Sequence, residues 1–196
     1  MKPLFLGGHP AIDFLNTAMT PDGEAVETIP DGRAFLEWLV SAELLREPEA
    51  AKLSRRFGVK GLETAAAEAR KVRDWAREWL ARWRARPGGD YGDEIAALNK
   101  LLARDATTHE LVVTKDGLRL EERTQLESPQ ALISLVAMQF ATLLATEDAS
   151  LIRDCAGTGC TLTFIDRTKA HRRMFCSASV CGNRAKVAAF RSRQRG

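Results

Sequence analysis

The sequence predicts a mainly α-helical protein: a multihelical N-terminal domain with one β-hairpin, followed by a small C-terminal module that contains every cysteine. Three observations lead to this fold class. Apolar residues recur at helical spacing through most of the first 150 residues, one Asp-Gly turn separates two β-prone runs, and four cysteines follow residue 150. We therefore expect the N-terminal domain to cover residues 1–150 and the C-terminal module residues 151–196.

Apolar spacing predicts three helices in the first half of the chain. The first begins at Asp31 or Gly32 and continues to residue 45, and the others cover residues 48–57 and 62–86, with Gly58 between them. One side of the longest helix forms a stripe that we expect to be buried, namely Ala65, Ala69, Val72, Trp75, Ala76, Trp79 and Trp83.

Four arginines gather on a flank of this longest helix: Arg70, Arg73, Arg77 and Arg84. Such a row could bind nucleic acid. Solvated basic helix faces are common, so we favour a solvent-exposed face here.

Three further elements complete the N-terminal domain. We expect Asp93 to cap a helix that continues to Leu102, and Asp116-Gly117 to form the turn of a hairpin. Ser128 followed by Pro129 is typical of a helix start. The predicted core face of that last helix consists of Leu132, Leu135, Val136, Phe140 and Leu143.

The composition favours a globular protein with a sizeable core, since hydrophobic residues make up 45% of the chain and charged residues 28%. Ser134, Gln139 and Thr142 interrupt the longest apolar stretch, so we expect no membrane span. The apolar stretch at the N-terminus is too short for a secretory signal. We therefore expect a cytoplasmic protein.

The formal net charge of +3 conceals a strong asymmetry. Residues 153–196 contain ten Lys or Arg and two Asp, so this segment carries +8, whereas the rest of the chain carries −5. An acidic body joined to a basic, cysteine-bearing tail indicates two units with different roles.

The four cysteines follow the pattern C-x4-C-x15-C-x4-C, formed by Cys155, Cys160, Cys176 and Cys181. Two short-spaced pairs fit a tetrahedral zinc site closed by four thiolates, which leaves no open position for catalysis. Disulfides would need an oxidising compartment, and a redox pair would favour CxxC spacing. Structural Zn²⁺ is therefore the cofactor that we expect.

The module should fold as knuckle, hairpin, knuckle and helix. We expect residues 161–165 and 172–175 to pair as strands, and a helix to follow Cys181 so that its N-terminus lies near that thiolate. About 44 residues bury too little apolar surface alone, so the metal should also supply folding energy. His171 could replace one cysteine, but with four cysteines present we favour a surface or hairpin position for it.

Several segments make the chain resemble the bacterial CGNR zinc-finger proteins, whose body is an ABATE domain. Residues 7–17 (GGHPAIDFLNT) are similar to the family's opening segment, and residues 181–186 (CGNRAK) contain the motif that names the finger. Residues 153–155, 164–166, 172–173 and Cys176 match as well, while Met174-Phe175 stand where members usually have a tryptophan. The resemblance covers essentially the whole chain and implies a stress-induced transcription regulator.

The basic residues of the module are candidate contacts for nucleic acid. The basic residues of the last helix fall along two lines on its surface, and Val187 and Phe190 lie between these lines. We expect this apolar pair to pack on the finger. Duplex DNA is favoured over single strands, because Tyr91 is the only tyrosine available for base stacking. The alternative is docking on an acidic protein surface. The candidate residues are Arg172, Arg173, Arg184, Lys186, Arg191, Arg193 and Arg195.

Three polar residues near the N-terminus, His9, Asp13 and Asn16, form a candidate pocket for a small-molecule effector. More often such residues cap helices and tie down a terminus through hydrogen bonds. The N-terminal domain would then sense a ligand or mediate self-association, as in a homo-oligomer. We expect no enzymatic activity, because the chain has no glycine-rich phosphate loop, HExxH or GxSxG motif.

Overall fold

The computed structural model describes residues 3–21, 23–104, 106–115 and 117–195. The described chain is mainly α-helical with small hairpins, which confirms the predicted fold class. Its helices are α1 (Pro10–Leu15), α2 (Gly32–Ser41), α3 (Glu47–Ala85), α4 (Gly92–Leu102), α5 (Leu132–Thr146) and α6 (Asn183–Arg195). Its strands form three antiparallel pairs: β1 (Ala18–Met19) with β2 (Val26–Glu27), β3 (Ala106–Thr114) with β4 (Gly117–Gln125), and β5 (Ile152–Asp154) with β6 (Thr163–Ile165).

Two glycines explain how α2 and α3 pack together. Helix α3 consists of two helical segments that meet in a kink at Gly58, whose φ of 62° is in the left-handed region, and this confirms the two helices that the sequence predicts on either side of this glycine. The Asp31 side chain caps α2 by accepting a hydrogen bond from the Ala34 amide at 2.8 Å. A Cβ at Gly32, the next residue, would overlap the backbone of Leu62, so only glycine allows this close approach.

The main core lies between α1, α2, α3 and α5. Its largest fully buried side chains include Phe35 and Trp38 of α2, Ile12 of α1, and Leu132 and Leu143 of α5. Ser128 caps the start of the last body helix as predicted, since its side chain accepts from the Ala131 amide.

Helix α5 and the 3-10 turn before it, Pro129–Thr146, are long and apolar enough to cross a membrane by length and composition alone. Core helices of soluble proteins pass the same test, and α5 packs against α1, α3 and α4. Among the described residues, this helix is therefore weak support for a membrane span.

The start of α4 differs from the prediction. Tyr91, not Asp93, is its N-cap, and Asp93 lies in the first turn. The Tyr91 hydroxyl bonds to the carbonyl oxygens of Arg82 and Arg86, at 3.0 and 2.7 Å. These bonds fasten α4 to the end of α3.

The β3–β4 hairpin is longer than the sequence indicates. Its register pairs Thr114 with Gly117 at the predicted turn, where Asp116 lies outside the described residues, and continues to Ala106 opposite Gln125. Three described apolar side chains of this hairpin are strongly exposed: Leu111 (62%), Val113 (85%) and Leu118 (69%).

The strand pairing at the C-terminus also differs from the prediction. Residues 163–165 pair with residues 152–154, whereas residues 172–175 form no strand. The cause is Asp166, which is fully buried and whose carboxylate accepts from the amides of Thr168 (3.0 Å) and Arg173 (2.8 Å). Since the Arg173 amide donates to Asp166, it is not available to a neighbouring strand, and residues 166–173 form a compact loop instead.

Candidate metal centre and basic surface

The four cysteines converge at the centre of the C-terminal segment, residues 151–196, which we call the finger. All four sulfur atoms lie within 4.8 Å of one another. The Sγ atoms of Cys160 and Cys176 are 3.9 Å apart, and those of Cys176 and Cys181 are 3.6 Å apart. All four thiols are free rather than joined as disulfides.

This arrangement fits a tetrahedral metal ion. Zinc–sulfur bonds of about 2.3 Å in a tetrahedron require sulfur–sulfur separations of about 3.8 Å, close to the two distances found here. A disulfide would need about 2.05 Å. Four sulfurs at this spacing could hold one ion and would leave it no open position.

Three of the cysteines are positioned by different local structures. Cys155 follows β5, and Cys160 lies in a turn closed by its amide donating to the Gly157 carbonyl at 2.9 Å. Cys181 lies in the helical turn Ala178–Gly182, directly before α6. As predicted, this cysteine is therefore at the helix N-terminus, where partial positive charge favours a thiolate.

Without a cation, the quartet disfavours four negative charges. Burial and the neighbouring cysteines raise the pKa of Cys160 to about 11, and the same causes raise the pKa of Cys176 further. At Cys155 burial alone would raise the pKa, but hydrogen bonds to sulfur outweigh it and lower the pKa, since Sγ accepts from the amides of Cys176 (3.3 Å) and Gly157 (3.4 Å). A divalent cation would supply the missing positive charge.

Asp166 organises the loop between the two cysteine pairs. Burial alone would raise the pKa of its carboxyl, but hydrogen bonds from Thr168 and Arg173 and the charge of Arg153 hold it below its usual value. His171 is exposed in this loop, with its Nδ1 3.2 Å from the Asp166 carbonyl oxygen. It does not belong to the group of described residues that could hold a metal.

Two of the predicted nucleic-acid contacts, the half-buried Arg173 and the exposed Arg184, make hydrogen bonds within the protein. The Arg173 guanidinium lies over the Phe164 ring, 4.2 Å from its centroid, and donates to the carbonyl oxygens of Phe175 and Cys176. The Arg184 guanidinium donates to Cys181 Sγ at 3.1 Å and to the Pro21 carbonyl.

The other predicted contacts whose side chains are described also lie at the surface. Arg172, Lys186, Arg191 and Arg193 are exposed, while the side chain of Arg195 lies outside the described part of the structure. Val187 and Phe190 do not pack on the finger as predicted, since they are 42% and 55% exposed. Every described side chain from Lys186 to Gln194 is exposed, so most of α6 is not covered by the rest of the described chain.

The finger shares its core with the N-terminal domain. Met19 of β1 belongs to the buried cluster that contains Cys155, Cys176 and Cys181, and the partly buried Leu6 packs against it. Backbone hydrogen bonds cross the same boundary, including Thr161 N–H to Thr20 O (3.1 Å) and Ile165 N–H to Gly7 O (2.8 Å). This junction was not visible in the sequence, because its partners lie about 140 residues or more apart.

The three residues of the predicted pocket make internal hydrogen bonds. The His9 side chain caps α1 by accepting from the Ala11 amide (3.1 Å), and Asp13 accepts from the Gly7 amide (2.7 Å). Asn16 bonds through both side-chain atoms to the Thr163 backbone. These hydrogen bonds agree with the second of the two interpretations offered above, in which the residues cap a helix and hold the N-terminal segment in place.

The arginine flank of α3 is not the solvated face that we predicted. Arg73 is only 4% exposed and bonds to Thr17 Oγ1 (3.1 Å) and to the Glu27 carboxylate (2.9 Å). Arg70 donates to the carbonyls of Ile29 and Pro30, Arg77 to those of Leu15 and Ala18, and Arg84 to the carboxylate of Asp154. These arginines therefore hold the N-terminal segment and β5, the first strand of the finger, against α3.

Two open grooves lie elsewhere on the surface. The groove between α2 and the start of α3 has a volume of about 520 Å³ and includes Leu36, Val40, Ala50 and the charged Arg33 and Glu37. The second groove lies beside Arg84, Arg153 and Asp154. Neither contains His9, Asp13 or Asn16.

Comparison with protein families finds two matches along this chain. A model of the ABATE family, described as "Putative stress-induced transcription regulator", matches residues 8–147. A model of the CGNR zinc finger matches residues 152–194, which include all four cysteines. No curated protein matches significantly. The two matched segments together account for nearly the whole described chain.

Proposed function

Because the chain belongs to the ABATE family and ends in a CGNR zinc finger, we propose that it is a DNA-binding transcription regulator. In this proposal one structural Zn²⁺, held by the four cysteines, shapes the finger and orients α6. Exposed basic side chains then contact the phosphates of duplex DNA. The observation that carries the proposal is the convergence of four sulfurs beside an exposed basic helix.

Zinc is the ion that this donor set favours. Four thiolates at tetrahedral spacing are typical of structural zinc sites, whereas Mg²⁺ and Ca²⁺ prefer oxygen ligands. Zinc supplies a charge that stabilises the thiolates and a link between distant segments of the finger. Since four ligands close the coordination sphere, we expect the ion to be structural rather than catalytic. Our expectation that the protein has no enzymatic activity rests on the sequence motifs alone.

Apart from Arg173 and Arg184, whose guanidinium groups bond to the finger and to Pro21, the predicted basic contacts form the proposed phosphate surface. It consists of Arg172, Lys186, Arg191 and Arg193, together with Arg195 at the end of the helix. The +8 of residues 153–196 falls to about +6 when four thiolates bind a divalent ion, which still attracts phosphates. Nothing in this surface selects a base sequence, so phosphate contacts dominate the proposed mode.

A salt titration of duplex binding tests this function. We expect the logarithm of affinity to fall linearly with the logarithm of salt concentration, because each phosphate contact releases counterions. The competing function is an adaptor whose finger binds an acidic protein, for which the exposed Val187 and Phe190 beside the basic residues offer apolar contacts. Failure to bind any duplex pool would favour the adaptor.

The N-terminal domain would sense an effector or mediate association. The α2–α3 groove offers apolar and charged lining for a small molecule. The β3–β4 hairpin favours association, since two-stranded hairpins are marginally stable alone and this one exposes Leu111, Val113 and Leu118. Light scattering should then detect a homo-oligomer that Leu118→Lys dissociates, and a wild-type monomer at all concentrations would contradict association. A cytoplasmic location remains part of this proposal.

A further inference from the structure

Arg184 makes a contact that distinguishes it from the other basic residues of the finger. It is the second residue of α6, three positions after Cys181, and its side chain turns back toward the sulfur cluster. One guanidinium nitrogen, Nη2, donates to Cys181 Sγ at 3.1 Å and also to the backbone carbonyl of Pro21. The same cation therefore touches a metal-ligating atom and the N-terminal domain.

The chemistry of the pair gives this contact a role at the metal centre. Cys181 is 1% exposed, so the charge of its thiolate has little access to water. Four thiolates around a divalent ion carry a net charge of −2, and burying such charge is costly unless hydrogen bonds or cations compensate it. Arg184 supplies such a cation, since its guanidinium donates to Cys181 Sγ.

The Pro21 contact joins this centre to the body. Pro21 lies between β1 and β2, and Met19 of β1 packs in the same buried cluster as the cysteines. A guanidinium has several N–H donors in a rigid plane and can hold two acceptors in fixed directions, which an ammonium group does less well. Arginine at position 184 thus fits both acceptors at once.

We propose that Arg184 is an outer-sphere partner of the metal centre, stabilising the Cys181 thiolate and anchoring the finger to the Pro21 segment, rather than a phosphate contact. This inference rests on the proposed zinc occupancy of the four cysteines. It does not require that the finger binds DNA. Arg191, two turns along the same helix and likewise exposed, is the arginine with which Arg184 can be compared.

The test uses the full-length protein loaded with Co²⁺ as a spectroscopic substitute for Zn²⁺. A cation beside a thiolate lowers the energy of the sulfur lone pairs, so its removal shifts the thiolate-to-cobalt charge-transfer band to lower energy. We expect this shift in Arg184→Gln and not in Arg191→Gln. In Arg184→Lys, which keeps the charge but not the planar guanidinium, the band should lie between those of the wild type and Arg184→Gln.

Zinc affinity, measured by competition with a chromophoric chelator, gives a second readout. Loss of outer-sphere partners typically weakens metal binding by about 10–100-fold, and we expect a loss in this range for Arg184→Gln. Arg191→Gln should match the wild type. If Arg184→Gln does not fold well enough to load, Arg184→Lys decides: wild-type affinity and an unshifted band in that variant would overturn the proposal.

The outcomes separate this inference from the proposed function. If the wild type binds neither Co²⁺ nor Zn²⁺, the zinc-finger assignment itself fails. If metal binds normally and Arg184→Gln leaves both the band and the affinity unchanged, only the role of Arg184 is overturned. A reduced salt dependence of DNA binding in zinc-saturated Arg184→Gln, by about one unit of slope, would identify Arg184 as a phosphate contact instead.

Discussion

The side chain of Asn16 pairs with the backbone of Thr163 through two hydrogen bonds, although 147 positions separate the residues. Asn16 Oδ1 accepts from the Thr163 amide at 3.0 Å, and Nδ2 donates to the Thr163 carbonyl at 2.8 Å. Asn16 is the C-cap of α1, and Thr163 begins β6. The amide thus joins the first helix of the body to a strand of the finger.

Replacing Asn16 should loosen the finger from the body. Asn16→Ala leaves a part-buried amide and carbonyl of Thr163 without partners, which costs about 1–3 kcal/mol of unfolding free energy. Chemical denaturation measures this loss, and limited proteolysis should show earlier cleavage within the finger. Asn99→Ala, on an exposed position of α4, is the matched control and should not lower stability. Equal stability of the two variants would contradict a structural role for the Asn16–Thr163 pair.

Arg73 provides a test of the clamp formed by α3. Arg73→Met removes a buried guanidinium and leaves Glu27 and Thr17 without their partner, so we expect a loss of about 2–4 kcal/mol. Arg33→Gln, in an exposed pair with Glu37, should change the unfolding free energy very little, because solvent screens this pair. Thermal or denaturant unfolding compares them. Equally small losses of unfolding free energy at both positions would support the earlier interpretation, in which the arginines of α3 form a solvent-exposed face.

The pH dependence of stability should report Asp13. Burial raises the pKa of this carboxyl to about 6, while hydrogen bonds from the amides of Gly7 and Leu6 partly oppose the shift. Because the folded-state pKa lies above the unfolded value of 3.8, the contribution to stability is present at low pH and is lost as pH rises toward 6.

Asp13→Asn removes this titration while keeping an acceptor for the Gly7 amide. Relative to the variant, the unfolding free energy of the wild type should fall by about 1 kcal/mol between about pH 5 and pH 7. Denaturant unfolding of both proteins across this range measures the difference. Parallel stability curves would show that Asp13 does not have a raised pKa.

DNA binding should depend on the exposed arginines of α6. Arg191→Gln removes one proposed phosphate contact, so the slope of log affinity against log salt should flatten by about one unit. Arg33→Gln removes an exposed arginine of the body and should leave the slope unchanged. If both variants keep the wild-type slope, α6 does not lie on the phosphates.

Local signals in the sequence predicted the elements that depend on neighbouring residues. The spacing of the cysteines anticipated their convergence, Ser128-Pro129 marked a helix start, and Asp116-Gly117 marked the hairpin turn. The helix start and the hairpin turn each depend on residues within a few positions. The two cysteine pairs are farther apart in sequence, but their shared affinity for a metal ion predicts that they meet.

Features that depend on long-range partners could not be predicted in this way. The flank of α3 looked solvated because arginines are usually exposed, and no local pattern shows that the Glu27 carboxylate lies beside Arg73. The strand pairing in the finger was wrong because Asp166 takes the Arg173 amide. Val187 and Phe190 are apolar and lie three positions apart, as on the buried face of a helix, yet both side chains are exposed.

The metal content of the full-length protein, purified without added metal, tests the central claim most directly. Elemental analysis should find one zinc per chain, and a thiol count under denaturing conditions should find four free thiols without prior reduction. Cys181→Ser should lower the zinc content. A chain that contains no zinc, or whose cysteines are joined as disulfides, would contradict the account.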